Sequence, residues 1–199
     1  HLGSGSRVTV SGLMGSQTAD AAHLAVESTS DVFGTTGEWM QSSGQLVLHA
    51  AASGGMVAGS ACVVTFSLQN SATNQASPSV SVSAEIQDGI GNSVGSIAAA
   101  AMIKPGNAVY GVAKGADPLE VVMPQFSVKS IEQSNPVSGA SNMLSVTLMA
   151  NYDLASGSTV TITGLTGSQT ADTVSLTIAS TSGMFGAAGQ WIQSLGQLV

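Results

Sequence analysis

The sequence predicts an all-β chain of antiparallel Greek-key sandwiches in tandem, with a repeat period of 152 residues. Three observations carry this prediction. Residues 6–47 return without a gap as residues 158–199, identical at 25 of 42 positions. Apolar and polar residues alternate at period 2 in short segments broken by Gly, Ser, Asn and Pro, the pattern of half-buried strands. Seven or eight such segments fall in each period at regular spacing, which is how a two-sheet sandwich is written in sequence.

The elements follow in order. Residues 8–13 (VTVSGL) are the first expected strand. Residues 19–27 (ADAAHLAVE) have helix-forming composition. Their counterpart, ADTVSLTIA, instead alternates Val174, Leu176 and Ile178 with Thr173, Ser175 and Thr177. One backbone is expected for both, so a strand is read in each, with Ala22, Leu24 and Val26 inward and His23 outward. A strand around Trp39 turns at Gly44, a left-handed position, into a strand at residues 45–50. Residues 62–68 and 80–86 complete this block. The strands of the next block are residues 125–132, 143–150, 158–165, 174–179 and 190–193.

The expected domains are therefore a sandwich over residues 1–87, an extended connector over 88–123, and a second sandwich over 124–199. The first is the latter part of one repeat and the second the leading part of the next. The connector holds the turn DGIGN, the apolar run IAAAAMI, and Pro105, Gly106, Gly111, Gly115 and Pro118. It is too long for a bare loop in a compact domain and is expected to pair as extended chain along a neighbour.

Aromatic residues are only 4% of the chain. Phe33 and Phe185, and Trp39 and Trp191, stand at matching places and are expected as core plugs. Leu24, Val26, Leu46, Val64, Phe66, Leu176 and Ile178 should join them. Cys62 is the single cysteine, so no disulfide framework can form within a period. It shares a strand face with Val64, Phe66 and Leu68 and reads as a buried small hydrophobe.

Composition narrows the function classes. Charged residues are 8% of the chain, against roughly 25% in ordinary soluble domains. Ser and Thr number 47 and Gly 24, while 43% of residues are hydrophobic, so packed cores are expected under a hydroxyl-rich surface rather than disorder. The net charge is −7 and the only cations are Arg7, Lys104, Lys114 and Lys129. No basic patch is available for nucleic acid or an anionic membrane. The longest apolar run, residues 97–103, is far short of the ~20 residues of a membrane helix. Aromatics are too few for the girdles of a membrane barrel. No leader is visible, as expected for an internal slice.

No catalytic constellation emerges, so no enzyme, cofactor or metal site is expected. His23 is matched by Ser175, His1 stands alone, and His49 has no second His at ligand spacing. One G-x-S-x-G string occurs, GNSVG at residues 91–95, but a nucleophile elbow needs a helix after it, and the stretch that follows is read as extended chain. Glu27, Asp31 and Glu38 correspond to Ala179, Gly183 and Gln190 and read as solvated surface. Asp20 and Asp172 recur within GSQTAD, where a turn carboxylate accepting backbone N–H groups is expected. Calcium is the alternative, but it requires several clustered oxygens. Asp88 and Asn92 read as turn formers, and Gly89 with Gly91 as a lone G-x-G without a following helix. None of the seven Asn residues lies in an N-x-Ser/Thr sequon, which moves any sugar to Ser, Thr or modified Pro. Thr161, Thr163, Thr173, Ser175 and Thr177 are the candidates for O-glycosylation.

The phrases GSTVTITGLTGSQTAD, GSACVVTFSLQNSATNQASPSVSVSA and GASNMLSVTLMANYDLASGS resemble immunoglobulin-like repeats in very long extracellular surface proteins of microalgae and other protists. The turn IQDGIGNSV also looks like the D-x-x-G-N turn of many bacterial immunoglobulin-like repeats. The resemblance implies an immunoglobulin-like sandwich at the cell surface or outside the cell, with a structural role and no catalytic residues to transfer. The expected function is a structural repeat unit of an extracellular filament or surface fibre, whose partners are further copies of itself and covalent glycans. The alternative is a stalk or ligand-binding repeat of an adhesin. The recurrence stops at Val199, part-way through a period, so the chain is expected to be a window on a longer array. The first block is expected to lack the two leading strands that residues 125–132 and 143–150 supply in the next, and the second to lack the last strands. The strands at 125–132 and 143–150 should therefore complete a sandwich with copies of residues 62–68 and 80–86, from the same chain or a neighbour.

Overall fold

The computed structural model describes residues 2–52, 55–88 and 90–199. His1 and Gly89, both singled out in the sequence, lie outside the described residues. The chain is all-β with antiparallel sheets, and among the described residues it contains no α-helix, only single turns of 3-10 helix. It divides into two compact units, His1–Gln125 and Phe126–Val199.

The first unit is a curled seven-stranded sheet. Its strands are β1 (Arg7–Ser11), β2 (Ala21–Ser28), β3 (Phe33–Met40), β4 (Gln45–Ala50), β5 (Val64–Phe66), β6 (Ser81–Gln87) and β7 (Ser93–Ala101), in the order β5-β2-β3-β4-β1-β6-β7. β4 shows why the sequence folds this way. Leu46, Leu48 and Ala50 are buried while Gln45, Val47 and His49 alternate with them on the other face. The core gathers Leu13, Val26, Val32, Phe33, Trp39, Leu46, Leu48 and Val80, with Cys62, Val64, Phe66 and Leu68 packed against it. Cys62 is half-buried there.

One inward assignment is corrected. Ala21 pairs with Trp39 but Leu24 pairs with Gly37, so β2 carries one extra residue. Such a bulge reverses the alternation. Ala21 and Leu24 pack on the core, and Ala22 is exposed.

The stretch after β6 contributes β7, which pairs antiparallel with β6 and exposes all nine of its residues. The chain then returns along residues 74–80. Met102 N–H donates to the Val80 carbonyl at 2.9 Å, and Gln75 and Val121 exchange backbone bonds of 2.8 and 2.9 Å. Buried Asp117 accepts the Gly106 N–H at 2.7 Å, and Glu120 accepts that of Ser77 at 2.7 Å.

The second unit contains two small sheets. β8 (Phe126–Gln133) pairs with β9 (Leu144–Ala150). β10 (Thr173–Thr177), β11 (Ala188–Ile192) and β12 (Gln197–Leu198) form a three-stranded sheet. Residues 158–165, expected as a full strand, instead make a single bridge, Ile162 to Leu198. The bulge of β2 recurs in β10: Thr173 pairs with Trp191 and Leu176 with Gly189. Val174 is accordingly 83% exposed, not inward as the alternation suggested. Leu176 and Ile178 are half-buried and Trp191 is buried. Phe185, expected in the core, is 41% exposed against 6% for Phe33. Phe33 is covered because it pairs with Ala50 and packs in the cluster joined by Met56, Cys62 and Phe66. No such cover reaches Phe185 among the described residues.

Candidate functional site

The residues that recur most strictly form a hydrogen-bonded clasp between GSQTAD and the end of β3, at Trp39 and at Gln41 just beyond it. Ser16 Oγ accepts the Thr18 N–H at 3.1 Å, which tightens the turn. The carbonyls of that turn are thereby aimed at β3. The Thr18 carbonyl accepts Trp39 Nε1–H at 2.9 Å, the partner that a buried indole requires. The Ser16 carbonyl accepts Gln41 Nε2–H at 2.9 Å. Asp20 Oδ1 accepts the Gln41 backbone N–H at 2.7 Å. The Asp20 carboxylate therefore holds a backbone amide as expected, but one 21 residues away rather than in its own turn.

The second segment repeats this geometry atom for atom. Ser168 Oγ accepts the Thr170 N–H at 3.1 Å, and Trp191 Nε1 donates to the Thr170 carbonyl at 2.9 Å. Gln193 donates its side-chain amide to the Ser168 carbonyl at 2.8 Å and its backbone N–H to Asp172 Oδ1 at 2.6 Å. Ser28 and Ser180 likewise each bracket a phenylalanine backbone, that of Phe33 and Phe185 respectively.

Two glycines close the clasp. Gly44 and Gly196 have φ of +58° and +57°. A Cβ on Gly44 would lie 2.7 Å from the Leu13 carbonyl carbon, and one on Gly196 would lie 2.6 Å from that of Leu165. The strand-to-strand turn thus needs glycine both for its left-handed backbone and for the chain crossing above it.

A further set of bonds exists in the first unit alone. Thr29 donates its N–H to the Val63 carbonyl at 2.9 Å, and Thr29 Oγ1 accepts the Val63 N–H at 3.0 Å. Gln17 N–H and Ser16 Oγ–H both donate to the Gln69 carbonyl, at 2.9 and 3.0 Å. Thr18 Oγ1 accepts the Gln69 N–H at 2.7 Å. Ser16, Gln17, Thr18 and Thr29 thereby anchor the segment carrying β5. Their counterparts Ser168, Gln169, Thr170 and Thr181 are the same residue types, and among the described residues they make none of these bonds.

The other singled-out residues are dispersed. Thr161, Thr163, Ser175 and Thr177 are exposed. Thr173 is half-buried, and its Oγ1 accepts the Ser175 N–H at 3.1 Å. His23 is exposed, and His49 Nε2 lies 3.2 Å from Glu38 Oε1. Asp88 Oδ1 accepts the N–H groups of Ile90 and Asn92, both at 3.0 Å. Its Oδ2 accepts the Asn92 side-chain amide at 2.8 Å. That side-chain bond is the main reason the Asp88 carboxyl sits below the usual carboxylate range, with the two backbone N–H groups adding to it. Among the described residues no three His, Cys, Asp or Glu side chains gather as a metal site would require. Among the described residues no helix is long and apolar enough to cross a membrane.

No protein-family model, curated protein or solved structure matches this chain. Sequence reasoning marked the recurring Trp, Phe, Gly and Asp, but missed Ser16, Thr18, Gln41 and their counterparts. Their recurrence at one spacing was the available signal.

Proposed function

We propose that this chain is a structural repeat unit of an extracellular filament or surface fibre, built from tandem immunoglobulin-like Greek-key sandwiches and joined by strand and sheet complementation. The observation that carries the reading is the clasp, made twice with the same atoms at a spacing of 152 residues. The two segments agree where side chains hold the backbone. They differ where side chains meet solvent, as at Glu27 and Ala179 or Glu38 and Gln190. That division suits a unit whose task is to be stacked. The strand order supports the Greek-key part of the reading, since β2, β3 and β4 are consecutive neighbours and β1, which precedes them in the chain, lies beside β4.

The exposed hydroxyls of Thr161, Thr163, Ser175 and Thr177 are the acceptors for O-linked sugars in this reading. Thr173 is the least accessible of the five candidates, half-buried with its hydroxyl oxygen accepting the Ser175 N–H. Sedimentation velocity and negative-stain microscopy of the concentrated protein test the fibre. Ordered filaments or an open-ended series of oligomers are expected, and a strictly monomeric species at all concentrations would overturn the proposal. Mass spectrometry of native-source protein, expected to show hexose-sized additions, tests the sugars.

A further inference from the structure

We infer that the edge formed by Ile178, Ala179, Ser180 and Thr181, with the turn at residues 168–170 beside it, is a docking site for a second copy of the strand at residues 62–69. This rests on the structural-repeat reading and specifies one of its joints.

The occupant is identified by what fills the equivalent place in the first unit. There, β5 pairs antiparallel with the end of β2, with Phe66 opposite Val26, Thr65 opposite Glu27 and Val64 opposite Ser28. Displaced by 152 residues, those three β2 residues become Ile178, Ala179 and Ser180. β2 runs through Ser28, whereas β10 stops at Thr177. The residues missing from β10 are therefore the very ones that β5 pairs with in β2. Their backbone is already extended: Ser28 has φ −132° and ψ 141°, and Ser180 has φ −114° and ψ 137°. Ile178 N–H is used internally, donating to the Ala187 carbonyl at 2.9 Å. By strand alternation the N–H groups of Ala179 and Thr181 then face the open side, as Thr29 N–H faces Val63.

The polar anchors are also in place. Ser168, Gln169, Thr170 and Thr181 match, residue for residue, the four that bond the segment at residues 62–69 in the first unit. The apolar cover is what is missing. Val32 and Phe33 are each 6% exposed, while their counterparts Met184 and Phe185 are 80% and 41% exposed. An extended strand with apolar groups at Cys62, Val64, Phe66 and Leu68 supplies that cover in the first core. The register for the docked strand is Ile178 opposite Phe66, Ala179 opposite Thr65 and Ser180 opposite Val64.

The probe is a labelled synthetic peptide of residues 61–69, ACVVTFSLQ, titrated onto the full chain in reducing buffer and followed by fluorescence anisotropy and amide hydrogen exchange. We expect saturable binding that slows exchange at Ala179 and Thr181 and leaves Glu27 and Thr29, whose edge is already filled, unchanged. N-methylation of the peptide at Thr65 removes an N–H facing the receiving strand and should weaken binding about tenfold or more. N-methylation at Val64, whose N–H faces away, should not. Absence of binding, binding without protection at Ala179 and Thr181, or equal binding of the Thr65-methylated peptide would overturn the inference. A chain that forms filaments yet ignores the peptide keeps the fibre and loses this joint. A chain that binds the peptide at this edge yet never assembles keeps the joint and loses the fibre.

Discussion

Gln41 fastens two parts of the chain by itself, with its side-chain amide on the Ser16 carbonyl and its backbone N–H on Asp20. Gln41→Ala is expected to lower unfolding free energy by about 1–2 kcal/mol, read from urea melts, with Asp20→Ala similar. Gly44→Ala should cost more. The left-handed backbone alone accounts for about 1–3 kcal/mol, and the new Cβ would also meet the chain at Leu13. At Asp88 the folded-state carboxyl is held below the unfolded value, so its contribution is fully present above the unfolded pKa. That contribution is lost as pH falls through the lowered one. The protection of the Ile90 and Asn92 amides, taken relative to their intrinsic exchange rates at each pH, should therefore hold between neutral pH and the ordinary carboxylate range and fall only in stronger acid. Asp88 and Gly44 were legible in sequence because turns are local. The partners of Ser16, Thr18 and Gln41 were not, since they lie 21 to 53 residues away.

Strands were legible wherever one face is buried, because burial and the pleat together write a period of 2. The bulges in β2 and β10 were not, because an extra residue is visible only against the strand it pairs with. Val174 is the case that separates the two readings. At 83% exposure, Val174→Thr should change stability by less than about 0.5 kcal/mol, whereas an inward valine would cost more. Fully buried Leu46 is the control, and Leu46→Ala should cost about 2–5 kcal/mol in the same melts. β7 shows the opposite limit. Its run of small apolar residues carries no alternation, and the structure exposes both of its faces, so its pairing had to be inferred from length alone.

Taken whole, the two units differ in how well they are packed. Of the twelve buried hydrophobic residues among those described, eleven lie in His1–Gln125 and only Trp191 in Phe126–Val199. Amides of the three-stranded sheet around Trp191 should therefore exchange before those of β3 and β4, and a thermal melt followed residue by residue should lose the second unit first. The recurrence made this pairing of units visible in the sequence, but the unequal burial follows from β5, whose partner strand lies elsewhere in the chain. The clasp has one more consequence. It is made of indole, amide, hydroxyl and backbone groups with one carboxylate, and among the described residues the one contact between a basic and an acidic side chain is the exposed hydrogen bond of His49 with Glu38. At 1 M salt the screening length shrinks to ~3 Å, yet there is almost no charge attraction here to screen. Raising sodium chloride from dilute buffer to that level should shift the unfolding free energy by less than about 1 kcal/mol. A fold fastened this way keeps its stability in brine as in fresh water.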